Sequence, residues 1–286
     1  DEQTNKSDSY TAENIQAAAF THYELAYNNK LRMDIGLRYE YNQQKLNSYT
    51  FTNDPISVKK PQHLILPSVN IGYNITPKMI IRAAYGMSTN RPEFREIAPF
   101  GYYDFNISYV IKGNPNLKNC TIHNVDLKWE YYPSAGEVLN VSTFYKHFNN
   151  PIEMFTRDLG NRTFSFQNAK RADVYGVEIE IRKNFTRATN FLKDFGIVAN
   201  ASYIYSRVHL DSIQAIGQSN NRPLQGQSPY VVNAGIFYNN KDKRVQFNIM
   251  YNVIGKRIIY VGAQHYPDIY ELPRHTLDFN ISYLFK

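Results

Sequence analysis

The sequence predicts an all-β protein, an antiparallel up-and-down barrel that spans a membrane. Three observations carry this. Apolar and polar residues alternate with period two along most of the 286 residues, as they do on a strand with two different faces. The apolar face is rich in aromatics, with 24 Tyr and 17 Phe against one Trp, and Tyr is favoured both in strands and at membrane–water boundaries. Connections alternate short and long, the outer-membrane barrel pattern, which a soluble sandwich or propeller has no reason to keep. The closing stretch shows the design: Leu277, Phe279, Ile281, Tyr283 and Phe285 alternate with Asp278, Asn280 and Ser282.

Residues 1–14 are polar and read as a loop. Ala17, Ala19, Thr21, Tyr23, Leu25 and Tyr27 then share one face, and Asn28-Asn29-Lys30 turns the chain. The next strand sets Leu31, Met33, Ile35, Leu37, Tyr39 and Tyr41 outward against Arg32, Asp34, Gly36, Arg38 and Glu40. So many charges on one face of so apolar a strand suit a wet lumen. A polar loop through Asn53-Asp54-Pro55 extends to about Pro61. Strands with Ile65–Ile75 and Ile81–Met87 flank the turn Thr76-Pro77-Lys78.

Residues 90–119 form the longest irregular stretch, and such loops are usually functional. Val125–Tyr131 and Leu139–Tyr145 flank Pro133–Glu137. A connection near 150–161 reads as a possible hairpin with Arg162–Gln167. Tyr175–Ile181 and Ile197–Tyr205 follow, joined through 184–194, a turn that has room for a short helix. A loop then runs through Gln227. Tyr230–Tyr238 and Val245–Val253 flank Asn239–Lys243, and Gly255–Glu271 leads to the last strand. The total is about 11 strands. If the last strand ends on the short-turn side, the first starts on the long-loop side. That odd count implies further strands upstream, because single-chain bacterial barrels have even counts with both ends periplasmic.

Mean hydropathy is −0.50, and no run of about 18 apolar residues exists, so no transmembrane helix is expected. A barrel needs none. The net charge of +7 is scattered without a basic run, which argues against nucleic acid. Cys120 is the single cysteine and has no internal disulfide partner. The seven histidines show no metal spacing, and no nucleophile motif stands out. His209-Leu210-Asp211-Ser212 is the one cluster suggestive of a hydrolase.

Several loop segments resemble TonB-dependent outer-membrane receptors of Bacteroidetes type. They are Asn90-Arg91-Pro92-Glu93-Phe94-Arg95-Glu96-Ile97-Ala98-Pro99-Phe100, Gly113-Asn114-Pro115-Asn116-Leu117, Asn150-Pro151-Ile152-Glu153, Ser165-Phe166-Gln167-Asn168-Ala169 and Tyr175-Gly176-Val177-Glu178. Arg222-Pro223-Leu224-Gln225-Gly226-Gln227-Ser228-Pro229-Tyr230 is the most specific, and Pro267–Arg274 is similar. They run in the family's order and, with the strands, span most of the chain. The family's C-terminal aromatic is displaced by one, since Phe285 precedes Lys286.

The resemblance implies a location in the bacterial outer membrane and a barrel of about 22 strands holding a plug. Residues 1–286 would be the C-terminal part of that barrel, without the plug. It also implies import of a large scarce nutrient, such as a siderophore, vitamin, glycan or peptide, driven by the inner-membrane proton gradient. TonB would act through the plug, and the upstream barrel half, the plug and outer-membrane lipid would be the partners. The chemistry is binding and gating, with no catalytic residue, cofactor or bound metal expected. A passive porin and an outer-membrane hydrolase are the alternatives. Candidates for substrate contact are Arg91, Glu93, Arg95, Tyr102, Tyr103, Asp104, Arg222 and Gln225, because Arg forks take carboxylates and phosphates and Tyr pairs an apolar face with a polar tip. The competing reading is structural. Arg91 and Arg95 would form mutual ion pairs with Glu93 and Glu96, and Arg222 and Gln225 would brace a strand entry or face the plug.

Overall fold

The computed structural model describes residues 10–49, 54–105, 107–158, 162–186, 189–211, 217–240, 242, 244–263 and 266–285. The chain runs β1 (Tyr10–Tyr27), β2 (Leu31–Tyr49), β3 (Pro55–Thr76), β4 (Met79–Asn90), α1 (Phe94–Ile97), β5 (Gly101–Asp104) and β6 (Tyr109–Lys112). It continues through β7 (Cys120–Tyr131), β8 (Val138–Asn149), β9 (Ile152–Asp158), β10 (Arg162–Asn168), β11 (Arg171–Asn184) and β12 (Phe195–His209). Last come β13 (Tyr230–Asn240), β14 (Val245–Ile254), β15 (Arg257–Tyr260), β16 (Ile269–Glu271) and β17 (Arg274–Tyr283).

Eleven strands form one sheet in the order β1-β2-β3-β4-β7-β8-β11-β12-β13-β14-β17, each antiparallel to its neighbours. This is the expected meander with the expected number of strands. β1 and β17 lie at opposite edges, so the sheet is open. The first hairpin turns on Asn28 and Asn29, both at positive φ (48° and 52°), the backbone a two-residue type I′ turn needs.

Cross-strand register keeps the two faces apart over the whole sheet. One row reads Tyr23, Ile35, Val69, Tyr85, Val125, Tyr145, Tyr175, Tyr205. The opposite face carries Glu130, Asn140, Glu180, Asn200, Asn233, Asn252 and Thr276 in one row. Neighbours in that row bond: Asn140 Nδ2 donates to Glu180 Oε2 (2.8 Å), Asn252 Nδ2 to Asn233 Oδ1 (2.6 Å), and Asn233 Nδ2 to Asn200 Oδ1 (2.6 Å). Arg82 Nε (3.0 Å) and Lys128 Nζ (3.3 Å) hold Glu130. Tyr23, Leu37, Tyr203 and Phe279 are 62%, 48%, 67% and 65% exposed, while Arg32, Arg38 and Glu180 point to the other side. So broad an exposed apolar face belongs against lipid rather than water.

Three glycines on the polar face each lie beneath a large side chain of the next strand. Phe144 covers Gly176, Phe237 covers Gly196 and Met250 covers Gly235, each a directly opposed pair. A broad ring fills the gap a glycine leaves in the pleat, which pins the register.

Several connections differ from expectation. Tyr10–Asn14 are already strand, paired with Ser48–Gln44; residues 1–9 and 50–53 lie outside the described set. The polar loop expected up to Pro61 is instead a pair of long strand arms, Leu46 opposite Val58 and Tyr49 opposite Pro55. Beyond the apolar belt the period-two signal fades while the backbone ladder continues. Residues 90–119 contain α1, β5 and β6, and the loop after Gly255 contains β15 and β16, a two-stranded pair. β9 and β10 pair antiparallel as expected, but they join a second sheet, β5-β6-β10-β9, in which β6 and β10 are parallel. The described part of 184–194 is a turn.

At Gly176 a Cβ would sit 2.6 Å from Tyr203 O and 2.7 Å from the Phe144 ring, whereas nothing lies within 4 Å at Gly86. Gly176→Ala is therefore expected to lower the denaturant stability of the detergent-folded barrel by about 1–3 kcal/mol. Gly86→Ala should leave it unchanged or raise it slightly. Equal losses for the two variants would contradict this packing.

Candidate substrate-binding cap

The second sheet and its connecting loops form a cap at the long-loop end of the strands. Its core is Ile97, Ala98, Ile111, Leu117, Phe164 and Phe166, and it includes Leu46 of β2. The cap therefore packs on the polar face of the large sheet, in the space a barrel encloses. Val58, Phe94, Phe100, Tyr102, Tyr109 and Tyr260 pack around that core.

Inward side chains of β2 and β3 fasten the 91–119 loop. Gln44 Nε2 donates to Pro92 O (2.9 Å) and Lys60 Nζ to Leu117 O (2.6 Å), while Gln62 accepts from the Asn119 amide. Glu40, 7% exposed, takes Arg91 on one oxygen and Arg38 Nε (2.5 Å) on the other. This alternation explains why Glu40, Asn42, Gln44, Leu46 and Ser48 are all buried. Asn114 Nδ2 donates to Phe166 O (2.9 Å), and Lys118 N donates to Asn168 Oδ1 (2.7 Å), joining the loop to the β9–β10 hairpin. Only glycine fits at 113, where a Cβ would lie 2.7 Å from Arg95 O and 2.8 Å from Ala98 N.

A buried ion pair joins the rest of the cap. Arg222 Nη1 and Nη2 each donate to one oxygen of Glu153 at 2.7 Å, with side chains 2% and 0% exposed. Gln225 N adds a third donor to Glu153 (3.2 Å). The Gln225 side chain accepts from Met154 N (2.6 Å) and donates to Ile259 O (2.5 Å).

The candidate residues thus divide. Arg91, Arg222 and Gln225 are held inside the protein. The expected pairs of Arg91 and Arg95 with Glu93 and Glu96 do not form among the described residues. Arg91 reaches the wall at Glu40, and the Glu96 carboxylate turns back to accept from Glu93 N (2.8 Å) at the start of α1. Glu93 and Arg95 are exposed. Arg95 lies over the Tyr102 ring, 5.4 Å from its centroid. Burial pushes the Tyr102 hydroxyl up, so it is neutral and the contact is cation–π. Tyr103 is 49% exposed and meets the 86% exposed Phe105 edge-on at 5.0 Å; Asp104 beside them is half-buried.

The alternation of β2 marked Glu40 as inward, but its partner lies 51 residues away, beyond any local pattern. Glu153 was missed as a site residue for the same reason, its partner Arg222 lying 69 residues away. Within the cap is a cleft of about 400 Å³ lined by Lys112, Asn114, Asn116, Phe155, Ser165 and Gln167. A larger cavity, about 780 Å³, lies at the opposite, short-turn end beside Lys78, Gly136 and Arg182. Among the described residues no group of His, Cys, Asp and Glu is arranged to hold a metal ion. His209 of the hydrolase candidate is paired with Asp173 (3.3 Å), and Ser212 lies outside the described residues.

Removing one partner of a buried ion pair strands the other. Arg222→Ala or Glu153→Ala is expected to cost about 3–5 kcal/mol of local stability, read as faster proteolysis within the cap. The double variant Arg222→Met/Glu153→Leu should recover most of that loss. A double variant as sensitive as the singles would contradict the arrangement.

A family description reading TonB dependent receptor-like, beta-barrel, matches residues 1–286. No curated protein sequence matches the chain. Among solved structures it is similar to the copper transporter OprC (TM-score 0.69, 15% identity, 95% of this chain and 40% of that one). It is also similar to the ferric citrate transporter FecA in its unliganded form (0.70, 13%, 98% and 39%). A third is the ferric yersiniabactin uptake receptor FyuA from Yersinia pestis (0.64, 17%, 96% and 38%). The chain spans about two fifths of the length of each. It belongs to the TonB-dependent receptor β-barrel family, whose members are outer-membrane proteins of Gram-negative bacteria.

Proposed function

We propose that this chain is the C-terminal part of the barrel of an energy-coupled importer, and that its cap contacts a large scarce nutrient. The observation that carries the reading is the inward cap. Its buried charges fasten it to β2 and β3, and it leaves Glu93, Arg95, Tyr103 and Asp104 on or near its surface. A fixed platform with a few exposed aromatic and charged groups suits selective capture of a bulky ligand. The open sheet supports a role inside a larger wall, because unpaired strand edges in lipid cost several kcal/mol per backbone group. Further strands would close the lumen, and a plug coupled to TonB would supply the energy. The ordered loop motifs support a receptor of Bacteroidetes type. Similar structures include carriers of copper, ferric citrate and ferric yersiniabactin, so metal complexes come first among ligands to test, before vitamins, glycans and peptides.

The test is growth of a deletion strain on defined scarce sources, followed by uptake with and without TonB. The whole receptor is expected to restore TonB-dependent uptake of one such source. Arg95→Ala/Tyr103→Ala is expected to weaken its binding about tenfold and leave folded yield unchanged. Restored uptake of small solutes without TonB would replace this reading with a passive channel.

A further inference from the structure

We propose that an extended peptide docks on the cap as a fifth strand beside β5, with an apolar side chain on Tyr103 and Phe105 and a carboxylate two residues away on Lys112. This rests on the reading that the cap contacts the nutrient, and it names the ligand class. The cap sheet runs β5-β6-β10-β9. Its β9 side is covered, because Val261 N donates to Met154 O (3.1 Å) and Thr156 N to Val261 O (2.9 Å). The β5 side is the one left over. Gly113 N donates to Phe100 O (3.4 Å), and Gly101, Tyr102, Tyr103 and Asp104 then oppose Lys112, Ile111, Val110 and Tyr109. Antiparallel pairs alternate between bonded and non-bonded. Tyr102 and Asp104 therefore bond across to β6, while the N–H and C=O groups of Gly101 and Tyr103 point away from it. Among the described residues those groups have no backbone partner.

An unpaired edge of this kind is a template for another strand, and proteins blunt such edges with Lys or Pro. Neither residue occurs in Gly101–Asp104, and Gly101 puts no side chain over the edge. The side chains beside it fall into two groups. Tyr102 and Ile111 turn into the apolar core of the cap. On the opposite face Tyr103 stands across from Val110, and Tyr103, Phe105 and Val110 are 49%, 86% and 40% exposed. Lys112, across from Gly101, is exposed on that same face and among the described residues is in no ion pair. It also lines the cleft with Asn114, Asn116 and Gln167. An apolar patch thus lies one strand repeat, about 7 Å, from a free cation. A row of free backbone groups is matched by another backbone, with alternate side chains read by the surface next to it. That puts a peptide ahead of the other ligands for this edge.

The whole receptor is immobilised in mild detergent and offered synthetic hexapeptides that carry an apolar residue and an Asp two positions apart. Retained peptide is counted by mass spectrometry. The same peptides are also offered in two N-methylated sets, with methyl groups on the odd or on the even amides. Only one edge of an extended peptide faces β5, so one methylated set should be retained about tenfold less and the other like the parent. Tyr103→Pro removes an edge N–H and spares the β5–β6 bonds. It should retain about fivefold less peptide than Tyr103→Ala. Lys112→Gln should lose the preference for Asp over Asn in the peptide. Equal retention of the two methylated sets, equal retention by the Pro and Ala variants, or an unchanged Asp preference would overturn the proposal. So would slow hydrogen exchange of the Tyr103 amide in the ligand-free receptor, the sign of a strand already covering this edge. Retention of no peptide would overturn it as well, while the uptake assay decides the importer reading independently. Should Tyr103→Pro not fold, the two methylated sets decide the matter on wild-type protein.

Discussion

Backbone hydrogen bonding between neighbouring strands is the constraint on which the rest of this structure depends. Hydrocarbon offers no partner to a peptide group, so each crossing segment must satisfy its N–H and C=O groups on adjacent strands. An unbroken antiparallel ladder follows, and with it a period of two. One set of side chains meets lipid, and the other meets the lumen. The aromatic row from Tyr23 to Tyr205 and the Asn and Glu row from Glu130 to Asn252 are two views of this one constraint. Glycines at 176, 196 and 235, each under a bulky neighbour, keep the ladder in register where a slip of one residue would exchange the faces.

Above the lipid belt the same alternation serves another purpose. The inward positions of β2 continue from Arg38 through Glu40 and Gln44 to Leu46, turning from wall into binding surface for the cap. Polar groups fasten the 91–119 loop by its backbone carbonyls and Arg91, and Leu46 enters the apolar core. Desolvating Glu153 and Arg222 is costly and leaves little net stabilisation. The gain is geometric, since a bidentate pair fixes both loops at once. The family-wide loop motifs are therefore mostly architecture, and the residues left exposed around them include Arg95 and Tyr103.

The strands were legible because each obeys a local rule. Leu31–Tyr41 and Tyr175–Ile181 declare their faces within a few residues. The arms at Tyr10–Asn14, 42–49 and 55–61 were not legible, because they leave lipid and lose the apolar half of the pattern. β5, β6, β15 and β16 are only three or four residues long, so no periodicity can accumulate, and β6 also pairs with the distant β10. Arg91 and Arg222 stood out as residues, but their partners Glu40 and Glu153 are 51 and 69 positions away. A sequence pattern can mark a charge for pairing without naming its partner.

The central claim is that odd and even positions of these strands face different solvents. Cys120 is the native cysteine and is buried, so a Cys120→Ser background permits single-cysteine labelling in intact outer membranes. Cysteines at Leu37, Tyr203 and Phe279 should react with a lipid-soluble maleimide and resist a charged, water-soluble one. Cysteines at Arg38, Ser202 and Asn233 should show the reverse once the lumen is accessible. Uniform labelling, or alternation of the opposite sense, would contradict the assignment of faces on which the account rests.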